Sequence, residues 1–502
     1  MAQGIKTLAK DTAVYGISSM VGRFLNWCLV PLYTHVFDAG EYGIVTLVYS
    51  VVALLMVVLT YGMETGFFRF ANHERWSNPI QVYTTAMSAI SLSSVLFVGI
   101  VFIGLSNWAH WLDCSNHPSY VWIMGITVAI DAFTSLPFAY LRYQRRSVRF
   151  AGLKIISIVL NILFNIFFII ILPSIAEWPV FRLLWNEDFG VGYIFLSNLL
   201  SSFITLILLF PELKVKWSFS RRLLREMFAY SFPLLVLGLA GIMNQTLDKI
   251  LYPMLITDKG EAMSGLGIYG ANYKIAIIMV MFIQAFRFAY EPFIFARNKQ
   301  KGDNKEAYSD AMKWFVISSM FIFVSVMMLL DVVKWFIAPE YFSGLSVVPI
   351  IMLAELFFGI FFNLSVWYKV SDRTYWGSLF SIIGLSVTIG ANAWLVPIYG
   401  YMGCAWAALC CYGVMMLLSW IVGRILHPID YDMKSVVFYC FAGIGLWWLV
   451  DFITAQMNDN VALCWCIKIS AILFYLLFVM IKENLGSALL RKARNGLHHH
   501  SR

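Results

Sequence analysis

The chain has 502 residues, 60% of them hydrophobic and only 13% charged, whereas soluble domains carry about 25% charged residues. That composition excludes an ordinary soluble domain, and it makes the formal charge of +8 a question of membrane sidedness rather than a sign of nucleic-acid binding. Apolar windows of about 20 residues, enough to cross a bilayer, recur along the whole chain with no large polar domain between them, so one all-α integral membrane protein is expected.

About fourteen transmembrane helices are expected, near 12–36, 42–70, 80–106, 118–141, 150–172, 190–210, 228–257, 266–296, 309–333, 345–369, 376–396, 401–423, 435–455 and 461–481. The start, "MAQGIKTLAKDTAVYG", runs straight into span one without a small-residue cleavage site, so it does not read as a cleavable signal. Span one carries Arg23 near its centre, sharing a helix face with Ser19 and Asn26. Arg23 is too central to snorkel easily, so a cavity position is expected. Glu64 and Arg69 lie near the cytoplasmic end of span two, where snorkelling explains them equally well. Asp131 lies deep in span four. In span five Lys154, Ser157, Asn161 and Asn165 form a polar stripe that either lines a cavity or glues helices together.

A basic link at 211–227, "PELKVKWSFSRRLLREM", follows span six and reads as an interfacial helix. Span seven holds the neighbours Asp248 and Lys249, which partly neutralise one another. Span eight holds Lys274, which could instead reach the outer interface, and then Gln284, Arg287 and Glu291 on one face. Glu355 lies deep in span ten, and Ser381, Thr388 and Asn392 in span eleven echo the stripe of span five. Lys468, in the last span, is assigned no role.

An internal repeat organises these spans. "EYGIVTLVYSV" opens span two and "IYGANYKIAII" opens span eight. "GMETGFFRFAN" and "FAYEPFIFARN" follow at the same separation, and "VYTTAMSA" and "AYSDAMKW" open spans three and nine. Spans four and ten end in "LPFAYLRYQRR" and "LSVWYKVSDRT". Four echoes in one order imply two six-span halves of like orientation, with substrate between them near the midplane. The expected domains are therefore 1–210, a first six-helix bundle; 211–227, the linker; 228–423, a second bundle; and 424–502, two added helices and a basic tail.

Most of the 36 Lys and Arg fall beside segments that are cytoplasmic if the N-terminus is inside. Arg182, Lys259 and Lys334 are the main exceptions, and an even span count then puts the C-terminus inside as well. The eight Cys are scattered, mostly within apolar spans, and suggest neither a disulfide framework nor a metal site. The terminal "HHHSR" is expected to hold no functional metal. An excess of cations inside a cavity suits an anionic ligand, because low dielectric strengthens the attraction. Arg meets phosphate oxygens with a planar fork, and Lys meets them as a point charge.

The stretches "YSFPLLVLGLAGIMNQTLDKILYPML", "GLGIYGANYKIA", "NAWLVPIYGYMGCAWAAL" and "DTAVYGISSMVGRFLNWCLVPLYTHVFDAGEYG" resemble the O-antigen (Wzx-type) polysaccharide flippases. These belong to the multidrug/oligosaccharidyl-lipid/polysaccharide exporter superfamily. The resemblance implies two six-helix bundles in parallel repeat forming a V-shaped cleft, plus two extra helices. It implies a transporter rather than an enzyme, flipping undecaprenyl-diphosphate-linked oligosaccharide from the inner to the outer leaflet of the bacterial cytoplasmic membrane by alternating access. Implied partners are that lipid, the surrounding membrane lipids and a polysaccharide polymerase. No cofactor is implied, and the coupling ion would be H+ or Na+.

On this reading Arg23, Lys249, Arg287 and Lys274 are the cleft cations, and Asn26, Asn161, Asn165 and Asn392 are its polar lining. The acids Glu64, Asp131, Asp248, Glu291 and Glu355 depart from a purely cationic cleft and would balance charge or carry the coupling ion. Two rivals stay open: a cation-coupled multidrug or metabolite exporter, which would centre on the acids and aromatics, and a lipid II flippase. A membrane enzyme is disfavoured, because neither a metal-ligand cluster nor a phosphate-binding glycine loop stands out.

Overall fold

Several of the long helices begin where the sequence supplies a cap. Asp38 Oδ1 accepts the backbone N–H of Glu41 (2.8 Å), while Glu41 Oε2 accepts that of Asp38 (3.4 Å); this capping box starts a helix in "FDAGEYG". Asn78 caps the next long helix, with Pro79 in its first turn, and Ser220, Asp432 and Asn460 cap three more. The computed structural model describes residues 16, 20–73, 76, 78–301, 305–371, 373–457 and 460–483, with backbone alone at 180, 289, 291–301 and 370.

The main helices are α1 (Val30–Val36), α2 (Ala39–Thr60), α3 (Met63–Ala71), α4 (Pro79–Ile103), α5 (Ser119–Tyr143), α6 (Ser147–Ile166), α7 (Gly192–Leu208) and α8 (Arg221–Leu255). They continue as α9 (Lys259–Lys301), α10 (Lys305–Met328), α11 (Val347–Leu364), α12 (Tyr375–Tyr399), α13 (Tyr401–Leu426), α14 (Met433–Gln456) and α15 (Val461–Lys482). Every regular element among the described residues is helical. Among them, 12 helices are long and apolar enough to cross a membrane. The shorter apolar helix α7 and the first span, helical from residue 20 to 27 and again through α1, complete the fourteen expected. Large apolar side chains point outward along these helices, for example Leu92, Val95 and Leu96 on α4. That is the surface a bilayer requires and water does not tolerate in such quantity.

The spans are less regular than hydropathy alone suggests. Span two is broken into α2 and α3 by Tyr61 and Gly62, both with positive φ (31° and 71°). Gly adopts that backbone freely; Tyr61 adopts it at a steric cost. Span one has a turn at residues 28–29, and span five passes through a π-helical segment, Phe167–Ile171. The basic link after span six is not a separate interfacial helix. Its last part is the beginning of α8, with Leu223 and Met227 buried and Arg221, Arg222 and Arg225 exposed. Its middle is tied to α4, where Thr84 Oγ1 donates to the Ser218 carbonyl (2.8 Å).

The chain forms two compact units: residues 1–274, 337–347 and 378–411, and residues 275–336, 348–377 and 412–502. In the first, α5 packs on α4 and α7, α7 on α6, and α8 on α2 and α3. The aromatic pair Tyr83 and Tyr140, stacked at 4.4 Å, sits in its core. Here α2 also crosses the opening turns of α9, the matching helix of the repeat. A side chain at Gly43 would strike the Met263 carbonyl, and one at Gly267 that of Ala39. In the second unit, α10 packs against α14 and α15.

Candidate functional site

Trp27 closes the first span's opening helix onto α9: its indole N–H donates to the Lys274 carbonyl (2.7 Å). Arg23 lies one turn earlier on the same segment, exposed and without a hydrogen-bond or ion-pair partner among the described residues. Lys274 is half-buried and within electrostatic reach of Lys249. Lys249 is buried, donating to Asp248 (3.1 Å) and to the Gln245 carbonyl (3.0 Å), with its ammonium over the Tyr273 ring (4.1 Å). Asp248 in turn accepts the Tyr269 hydroxyl (2.6 Å). Lys249 and Lys274 therefore share the first unit's α8–α9 region with the one carboxylate of Asp248, and Arg23 lies one turn from the Trp27 contact that joins its segment to α9. Proximity of a like charge and burial both raise the cost of leaving such cations without an anion.

A second feature of this unit is a cavity of about 420 Å³ that Asn26, Glu64, Asp131 and Asn161 help to line. Glu64 is ion-paired with Arg142. Asp131 accepts the Ser202 hydroxyl (2.7 Å). Asn161 donates to Asn198 (3.1 Å), and Asn198 to the Tyr49 hydroxyl (2.5 Å). Asn165 sits deeper, donating to the Asn161 carbonyl (2.8 Å) and accepting from Tyr33 (3.0 Å). The span-five stripe therefore both lines a cavity and joins α6 to α7, the two roles its sequence leaves open.

The remaining sequence candidates are held by other contacts. Arg287 and Glu355 belong to the second unit, with the Arg287 guanidinium over the Phe362 ring (4.3 Å) and Glu355 buried. Asn392 is buried in the first unit and donates to the Thr388 carbonyl (2.7 Å). The side chain of Glu291 lies outside the described residues, as does Ser19. Among the described residues, no group of three His, Cys, Asp or Glu could hold a metal ion.

Where α2 begins, at its crossing with α9, a short loop makes a strap. Glu340 accepts the Ala39 N–H (3.0 Å), Tyr341 donates to the Phe37 carbonyl (2.8 Å), and Asn272 donates to the Tyr341 carbonyl (2.8 Å). Burial, with the Glu340 carboxylate beside it, pushes the Tyr341 phenol well above its ordinary pKa, so it serves as a neutral donor.

The profile of one family, described as "Polysaccharide biosynthesis protein", matches residues 8–296, more than half of the chain. The chain belongs to the polysaccharide biosynthesis protein family. The match spans Arg23, Lys249, Lys274 and the whole lining of the cavity, and it ends before Glu355 and Asn392. Among solved structures the fold is similar to the lipid II flippase MurJ in an inward closed conformation, at 12% identity and a TM-score of 0.73, covering 94% of this chain and 98% of that one. It is also similar to an inward-facing multidrug resistance MATE transporter of the MOP superfamily, at 13% identity and TM-score 0.65, covering 80% and 94%. An outward-facing MATE transporter scores 0.58 at 15% identity, covering 83% and 95%. No curated protein matches the sequence. The fold shared with these neighbours is that of a multi-pass, all-helical chain.

Sequence reasoning missed several residues of this arrangement. Arg142 was hidden in the basic cluster "RYQRRSVR", which reads as positive-inside charge. Asn198, Ser201 and Ser202 carried a usable signal: Ser197, Asn198, Ser201, Ser202 and Thr205 recur at helical spacing in span six and form a polar stripe facing that of span five. Tyr269 and Tyr49 carried none, because a span tyrosine reads the same whether or not its hydroxyl meets a polar partner.

Proposed function

We propose that this chain moves an oligosaccharide carried on undecaprenyl diphosphate from the inner to the outer leaflet of a bacterial cytoplasmic membrane, for surface polysaccharide assembly. The carrying observation is the set of cations in the first unit: Arg23 without a partner among the described residues, and Lys274 beside Lys249, with Asp248 the one carboxylate among the described residues bonded to Lys249. A diphosphate offers two adjacent anionic centres with acceptor oxygens for the guanidinium fork and the ammonium groups. An organic cation would be repelled by the same group. Membership of the polysaccharide biosynthesis family supports the glycan.

Transport follows alternating access, with both termini cytoplasmic. It is coupled to H+ or Na+ through one or more of Glu64, Asp131, Asp248, Glu291 and Glu355, and it delivers its product to a polysaccharide polymerase. The residues act by binding and release, so no covalent step and no cofactor is invoked.

The test is lipid movement by the purified protein in liposomes. Undecaprenyl-diphosphate oligosaccharide is loaded, and its exposure to a glycan-cleaving enzyme outside is followed, with lipid II and a fluorescent cationic drug in parallel. Protein-dependent exposure of the oligosaccharide lipid is expected, without drug transport. Drug transport without lipid movement would refute the proposal in favour of an exporter, and movement of lipid II alone would narrow the head group to a sugar-peptide.

A further inference from the structure

The cavity of about 420 Å³ in the first unit differs in chemistry from the cationic group. Its charges cancel: Glu64 is paired with Arg142, and Asp131 has Lys154 within electrostatic reach. Two carboxylates against two cations leave little net field to capture a free ion. What remains is a dense mixture of donors and acceptors, the carboxamides of Asn161 and Asn198 and the hydroxyls of Ser201 and Ser202, beside the ring of Phe138. Each hydroxyl of a sugar both donates and accepts, so a mixed wall of amides, hydroxyls and paired charges matches a neutral polyhydroxylated ring. The volume falls within the range of about 300–1,000 Å³ typical of small-molecule sites.

Its position supports the same occupant. Asn26 lines the cavity, and Arg23 lies one turn away on the same helical segment. A ligand with its anionic part at Arg23 would have its next few ångströms at the cavity wall. We propose that this cavity is a sugar subsite, receiving one or two rings of the translocated glycan, separate from the cations that meet the diphosphate. This inference rests on the flippase reading above. It assigns Asn198 and Ser202 a role in glycan recognition in addition to joining α6 and α7.

Native mass spectrometry of the full chain in lipid nanodiscs tests it with two probes, bare undecaprenyl diphosphate and the same lipid bearing an N-acetylhexosamine disaccharide. The intact protein is expected to bind the sugar-bearing lipid more tightly. Asn198→Leu and the milder Ser202→Ala, each confirmed monodisperse and folded, are expected to lose about five- to tenfold in affinity for that lipid, with little change for the bare one. Equal weakening toward both lipids, or no gain from the sugar in the intact protein, would overturn the subsite while leaving the flippase reading in place. Unchanged lipid affinities with an altered Na+ or pH dependence of transport would overturn it in favour of a cation site. Failure of the intact protein to bind either lipid would overturn both.

Discussion

A guanidinium near the centre of a span costs about 2.5–3.5 kcal/mol on insertion scales, and Arg23 has no ion-pair or hydrogen-bond partner among the described residues to offset that. If the offset is a ligand phosphate, Arg23→Ala abolishes transport while membrane abundance holds, and Arg23→Lys restores part of it. Equal activity of all three in the liposome assay would remove Arg23 from the site. Lys249 behaves differently, because Asp248 and Tyr269 are already bonded to it or to each other. Removing its ammonium strands a buried carboxylate, so Lys249→Ala is expected to lower thermal stability by about 3–5 kcal/mol along with transport, whereas Arg23→Ala leaves the melting temperature unchanged. The sequence made the charged residues legible because charge is rare in apolar spans. It did not reveal their partners: the pairing of Glu64 with Arg142 joins residues 78 positions apart, and no spacing rule within one helix reports such a contact.

Between elements, glycine decides where α2 and α9 meet. The backbones approach so closely that a Cβ at Gly267 would collide with the Ala39 carbonyl, and backbone yields far less than a side-chain tip. Gly267→Leu is therefore expected to destabilise the protein by about 1–3 kcal/mol or more through overpacking and to raise labelling of cysteines placed at the Glu340–Tyr341 strap. Gly241→Ala, on α8 with nothing within 4 Å of the added carbon, is expected to stabilise by about 0.5–1 kcal/mol. Comparable melting temperatures for the two variants would contradict the packing argument.

The last two helices are held by a different contact. Glu483 accepts from Lys313 (2.7 Å) and from the Tyr439 hydroxyl (2.8 Å). Partial burial alone would raise its pKa, but those two donors outweigh it and hold the carboxyl below its ordinary 4.5. A depressed acid contributes stability that is present above its unfolded pKa and lost as pH falls through the folded one. Protection of α14 and α15 in hydrogen exchange should therefore persist at neutral pH and weaken only below about pH 4.5. In Glu483→Gln that acid step disappears. The repeat made the helices legible but not this clasp, because α14 and α15 have no counterpart in it.

At the scale of the whole chain, hydropathy and the repeat made the helical class and the number of spans legible, because both depend on patterns summed over twenty residues. They did not reveal the division into compact units, in which the 43-residue α9 runs from one unit into the other near residue 274. Hydropathy sees each span separately and carries no information on which neighbours it packs against. Charge sidedness is a whole-molecule property that sequence does carry, since basic loops resist translocation. The basic link before α8 and the short loop before α9 should then lie on opposite faces. Lys216 and Thr257, both exposed, mark those two sites. In intact bacterial cells a membrane-impermeant thiol reagent is expected to label Thr257→Cys above the background of the unsubstituted protein. Lys216→Cys is expected to react only after the membrane is permeabilised. The opposite pattern would invert the topology, and with it the direction of the transport proposed above.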